Sequence, residues 1–123
     1  MFQQLMTQFL DEYGSLEKKQ EDCYSFPVTP EMMATVEDRH PVIHFHCRLG
    51  QCPKENREEF FTEALMANLF GSNTGGGVLG LSQDGSELLI QHDIDYTIPY
   101  TDFSASLEDF CNAAELWAEE CRR

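Results

Sequence analysis

From Pro41 to Leu49 the chain alternates: Ile43, Phe45, Cys47 and Leu49 fall on one side, and Val42, His44, His46 and Arg48 on the other. A period of two over nine residues is the signature of a strand with one apolar face. Such a strand needs neighbours for its hydrogen bonds and a layer to cover its greasy side. The segments around it supply both. Phe2, Leu5, Met6, Phe9, Leu10, Tyr13 and Leu16 recur in steps of three and four, which predicts an amphipathic helix closed by the polar run Glu17 to Asp22. Phe103, Leu107, Phe110, Cys111, Ala114, Trp117 and Cys121 predict another that begins between Asp102 and Ser106, with Arg122 and Arg123 complementing its dipole.

The remaining segments fit the same layered plan. Cys23 to Val28 reads as a short strand that Pro27 ends or holds at an edge. Thr29 to Arg39 reads either as a turn around Pro30 or as a second strand over Met32 to Val36. Asn56 followed by Glu59 suggests a capping box, opening a helix through Phe60, Phe61, Ala64, Leu65, Ala67, Leu69 and Phe70 that stops at Gly71. Its apolar arc is wide enough to be covered twice. Val78 to Ser82 and a strand from Glu87 flank the hairpin signal Asp84-Gly85, and Pro99 ends or bends the second of them. The expectation is an α+β fold: helix, two to three antiparallel strands, helix, β-hairpin, helix. With 123 residues, positions 1–123 form a single domain.

Charge narrows the function. Eight Lys and Arg stand against 22 Asp and Glu, a formal charge of −14. Such a surface repels phosphate backbones and anionic membranes, so neither nucleic acid nor membrane is an expected partner. It keeps a protein soluble and suits a partner that is basic or poorly soluble. Five cysteines, an odd number in no regular framework, suggest reduced thiols in the cytosol. No secretion leader and no membrane span are recognisable.

His44 and His46 share a strand face, but Cys47 points away from them, and zinc needs three or four converging ligands. His92, Asp93 and Asp95 suggest a metal-dependent hydrolase, yet His92 opposes the two aspartates. The run Gly71-Ser72-Asn73-Thr74-Gly75-Gly76-Gly77 joins a helix to a strand and lacks Lys, unlike a phosphate loop. Its glycines permit a tight turn and close packing. Cys47 beside His46 in a strand is not a nucleophile beside its base. Trp117 reads as a packing anchor. No catalytic residue, metal ligand or cofactor is expected, and the chain reads as a binding protein rather than an enzyme.

Local wording then matters. Leu49-Gly50 and Pro53 precede the middle helix. Leu65-Met66-Ala67-Asn68-Leu69-Phe70 ends it, and Thr74-Gly75-Gly76-Gly77-Val78-Leu79-Gly80-Leu81 follows. Phe110, Ala113, Ala114 and Trp117 lie in the closing helix. In this order, within a small acidic chain, the set resembles the Tir chaperone family, the class I chaperones of bacterial type III secretion. The resemblance implies a cytoplasmic homodimer that wraps an extended segment near the N-terminus of a secreted effector and keeps it export-competent without nucleotide. It implies a dimer interface of Ala64, Leu65, Asn68, Leu69, Val78, Leu79, Gly80 and Leu81. An effector-binding surface is expected at Phe2, Leu5, Phe9, Tyr24, Phe26, Ile43 and Phe45. The secretion ATPase or a regulator is a further implied partner. The rival readings are a regulatory protein on the same fold, the small metal-dependent hydrolase, and a nucleic-acid mimic exploiting the negative charge.

Overall fold

Six strands form one antiparallel sheet in the computed structural model, which describes residues 2–122. The elements are α1 (Phe2–Tyr13), β1 (Glu17–Gln20), β2 (Cys23–Thr29), β3 (Met32–Arg39), β4 (Val42–Gln51), α2 (Arg57–Phe70), β5 (Val78–Leu81), β6 (Glu87–Asp95) and α3 (Tyr100–Cys121). The sheet order is β1-β2-β3-β4-β6-β5. The alternating strand read first from the sequence, β4, lies inside the sheet between β3 and β6, with Phe45 opposite Val36 on one side and His92 on the other.

One face of the sheet is covered by α1 and α3. Phe45 sits against Phe103 at 5.7 Å and Phe110 at 5.4 Å between ring centroids. Phe9 bridges the two helices and the sheet through Phe103 and Phe26. Ile43, Phe45, Cys47, Ile90, Phe103, Phe110 and Ala114 are wholly inaccessible to solvent. The fold is therefore α+β, with its core between the helical layer and one side of the sheet.

Four strands, rather than two or three, precede α2. The extra one is β1, in the run expected only to close α1. All four of its residues are exposed. It carries no apolar alternation because it pairs on one side only and faces water on both faces; Lys18 and Lys19 suit such an edge. The ambiguous segment is the strand β3, with Met32, Ala34 and Val36 buried in alternation. Pro27 is tolerated because β1 does not reach it: Glu17 pairs with Ser25, and beyond that point β2 has no outer neighbour. There the Tyr13 hydroxyl donates to the Pro27 carbonyl at 3.0 Å.

Helix boundaries also depart in detail. Asn56 does not cap α2 with its side chain; it adopts a left-handed conformation at φ 56°. Gly71 ends the helix as expected, at φ 66°. The closing helix starts at Tyr100 after Pro99, earlier than the apolar spacing indicates, because the first turn holds only Phe103 in the core. The glycine joint before β5 is required by close approach. A Cβ on Gly75 would lie 2.3 Å from the Asp109 carbonyl oxygen, and one on Gly77 would lie 2.6 Å from that of Gln91.

Candidate functional site

The middle helix buries Phe60, Ala64 and Ala67 in the protein, with Phe61 partly buried against the same core. Phe60 meets Trp117 of α3, whose indole Nε1–H donates to the Asn73 carbonyl at 2.9 Å. Much of its apolar arc faces solvent: Leu65 is 68% exposed, Leu69 75% and Phe70 68%. Val78 and Leu81 of β5 are exposed beside it. Soluble monomers rarely leave so many large apolar side chains in water, which makes α2 and β5 the candidate interaction surface.

The expected dimer residues divide into two groups here. Leu65, Leu69, Val78 and Leu81 are on the surface, as is Gly80, whose missing side chain leaves open space above the strand. Ala64 and Leu79 are buried within the chain. Asn68 is turned toward its own sheet. Its amide accepts from the Leu79 N–H at 2.8 Å and donates to the Leu79 carbonyl at 2.9 Å. A side-chain amide thus takes up the outward N–H and C=O of Leu79, where a seventh strand would pair with β5. Asn68→Ala leaves both Leu79 groups without their partner. It is expected to lower stability by about 1–3 kcal/mol in urea unfolding. Asn68→Asp keeps the acceptor but loses the donor, and a loss of similar order is expected.

The expected effector-binding residues lie elsewhere. Phe2, Leu5, Phe9, Phe26, Ile43 and Phe45 are all core residues, none more than 4% exposed, and only Tyr24 is half-buried. Their apolar character is accounted for by packing: Phe2, Leu5 and Phe9 of α1 cover the β2 end of the sheet at Phe26, and Ile43 and Phe45 lie in the core on β4, Phe45 beneath α3. What that flank offers to solvent is Leu10 and Tyr13, each 45% exposed, beside Tyr24, whose hydroxyl donates to Gln3 Oε1 at 2.8 Å. Leu10 and Tyr13 are in the same helical stripe as the buried set. Spacing shows the stripe but not where burial stops along it.

The opposite face of the sheet carries polar chemistry. His44 is buried by its neighbours and donates from Nδ1 to Asp93 Oδ1 at 2.6 Å, and the His44 and His46 rings stack at 6.3 Å. His92 lies on the helix-covered side against Phe45, away from Asp93. Among the described residues no three His, Cys, Asp or Glu side chains are grouped to hold a metal ion. The Cys47 thiol is pushed up to about 12 by burial, and that of Cys111 likewise, so neither is a thiolate at neutral pH.

The histidines set a pH response. His46 is lowered, first by burial and then by the neighbouring His44, Arg39 and Arg48; His92 is lowered by burial against the opposing pull of Asp93. A histidine held below its unfolded pKa binds fewer protons folded than unfolded, so stability rises with pH through that window and is lost as pH falls below about 6.5. The urea midpoint is expected to fall between pH 7.5 and 5.5, and a His46→Gln, His92→Gln double variant to fall less. Asp84, lowered to about 2 by hydrogen bonds from Ser86 and Ser82, titrates outside this range.

Comparison with known proteins bears on the fold and the family. The chain is 26% identical over 125 residues to the Chlamydia pneumoniae protein CPj0713/CpB0740, covering 98% of this chain and 95% of that one. It is similar in structure to the Yersinia pestis type III secretion chaperone SycH in complex with a fragment of YscM2. The TM-score is 0.73 at 15% identity, over 94% of this chain and 98% of that one. It is also similar to a chain of the ExsC–ExsE complex, with a TM-score of 0.72 at 13% identity over 96% and 91% of the two chains. These likenesses show the fold of the type III secretion chaperones. The model of the Tir chaperone protein (CesT) family matches residues 4–118, nearly the whole described chain, and the protein belongs to that family.

Proposed function

We propose that this protein is a class I type III secretion chaperone. It acts as a homodimer that holds the N-terminal chaperone-binding segment of one or more secreted effectors, soluble and extended, until export. The observation that carries the reading is the continuous apolar surface of α2 and β5 on a chain of this family. Paired about a two-fold axis, Leu65, Leu69, Val78 and Leu81 of one copy meet the same residues of the other, an isologous contact. Ala64, Asn68, Leu79 and Gly80 support it from beneath or beside.

The effector surface follows from what the fold leaves open. An extended segment can lie along α1 and the β2 flank, touching Leu10, Tyr13 and Tyr24 above the core residues Phe2, Phe9 and Phe26. Strand addition is directed to the outer edge of β1, because on that of β5 Asn68 already holds the Leu79 N–H and C=O. Binding of this kind needs no catalytic group and no cofactor, and it suits the cytoplasm of a bacterium.

Light scattering of the purified chain, alone and co-expressed with candidate effector N-terminal segments, tests the proposal. The expected result is a mass twice 14.1 kDa, with one segment co-purifying per dimer. A strict monomer that captures no segment would refute it.

A further inference from the structure

Helix α2 has a second apolar flank. Successive helical residues are turned by about 100°, so Phe70 lies about 140° around the helix from Leu65, with Met66 and Leu69 between them and Met66 on the side of α3. Met66 and Phe70 border a groove of about 570 Å³ whose far wall is Leu116 and whose floor is Trp117. Met66, Phe70 and Leu116 are 51%, 68% and 40% exposed, while Trp117 is held in place through Asn73. Glu63 and Glu120 stand at its margin.

Charge identifies what fits. From Glu58 to Cys121 the chain contains no Lys or Arg and 13 Asp or Glu. The nearest cations in sequence are Arg57, over the Phe61 ring, and Arg122, paired with Glu119. A second copy of the chain would bring the same acidic margin against this one, and like charges facing each other oppose such a contact. A segment with apolar anchors and Lys or Arg around them satisfies both the floor and the margin.

We infer that the groove between α2 and α3 docks a cationic segment of a different protein, with an apolar side chain entering between Phe70 and Leu116 above Trp117. The site adjoins the proposed two-fold contact along α2 but draws its far wall and floor from Leu116 and Trp117 of α3, and it is separate from the α1 flank. Apolar anchors supply affinity; the acidic margin supplies selectivity and a dependence on salt.

Trp117 is the single tryptophan of the chain, so its indole N–H gives one resonance in a ¹⁵N-labelled sample. The full chain is titrated with a short amphipathic peptide bearing Leu and Phe on one face and Lys and Arg on the other. A second peptide keeps the apolar residues and carries Glu instead. The cationic peptide is expected to shift the Trp117 resonance saturably, with affinity about tenfold weaker at 0.3 M than at 0.05 M salt. Glu63→Lys and Leu116→Ser are each expected to weaken it by about tenfold, with the mass by light scattering unchanged. Equal response to both peptides, no shift with the cationic one, or binding that survives both substitutions would overturn the inference. So would a fall in mass on Leu116→Ser, which would assign the groove to a second copy.

Discussion

Leu69→Asp is expected to turn the proposed dimer into a monomer that keeps its fold. Leu69 is the most exposed large apolar residue among those described, and its neighbours Leu65, Val78 and Leu81 are exposed around it. In a two-fold contact the substitution occurs twice, and each carboxylate must be desolvated against apolar side chains. Desolvating an unpaired charge at the centre of an interface costs several kcal/mol. A loss of about 4 kcal/mol corresponds to roughly a thousandfold weaker association. Sedimentation or light scattering across a dilution series would read the change as a mass falling to 14.1 kDa. Circular dichroism and the melting profile should show a folded chain, because Leu69 faces away from its own core. Leu10→Asp is the control. It places the same charge on α1, at a residue 45% exposed, and should leave the mass unaltered. A dimer that persists in Leu69→Asp would move the contact off α2 altogether.

The legible parts of this fold are those buried on one side. In β4 and α3 burial on one face writes its period into the sequence. The structure buries Ile43, Phe45, Cys47 and Leu49 of β4 and Phe103, Leu107, Phe110, Ala114, Trp117 and Cys121 of α3 as that period predicts, while His44 is buried on the other face of β4 and Cys111 is only half-buried. Where burial is absent, so is the signal: Glu17-Lys18-Lys19-Gln20 pairs by backbone alone at the sheet edge, and no apolar residue announces it. In β3 the alternating core positions include the small Ala34, and Glu37, Asp38 and Arg39 continue the strand in polar residues, which blurs its end. Asn56 shows the limit of a motif. The residue type suits a cap, but its backbone is left-handed and its side chain makes no cap bond. On α2 the wide apolar arc predicted two coverings without saying which residues served which. The structure assigns Phe60, Ala64 and Ala67 to the chain's own core and leaves Leu65, Met66, Leu69 and Phe70 outside it.

The same ambiguity governs Phe45, because a core and a binding groove both demand an apolar residue at that point of the strand. Its ring is inaccessible to solvent and lies among Phe103, Phe110 and His92 on a central strand. Phe45→Ala should therefore act on folding before it acts on any partner. Emptying a site of this kind costs about 3–5 kcal/mol, against a total stability of about 5–15 kcal/mol for a typical domain. At the entropy of unfolding usual for this size, that lowers the melting temperature by about 10–20 °C. Tyr13→Ala gives the contrast, since Tyr13 is half in solvent on the flank proposed for the effector. It should cost less stability while weakening capture of the effector segment. Thermal melts of both variants, each paired with co-purification at a temperature where both remain folded, separate the two roles. If Phe45→Ala melted like the parent chain but lost the segment, Phe45 would belong to the binding surface and α3 could not be packed on it as described. A large drop in melting temperature, with capture retained by the fraction that folds, would place the effector outside the sheet–helix core, on the side chains that α1 leaves in solvent.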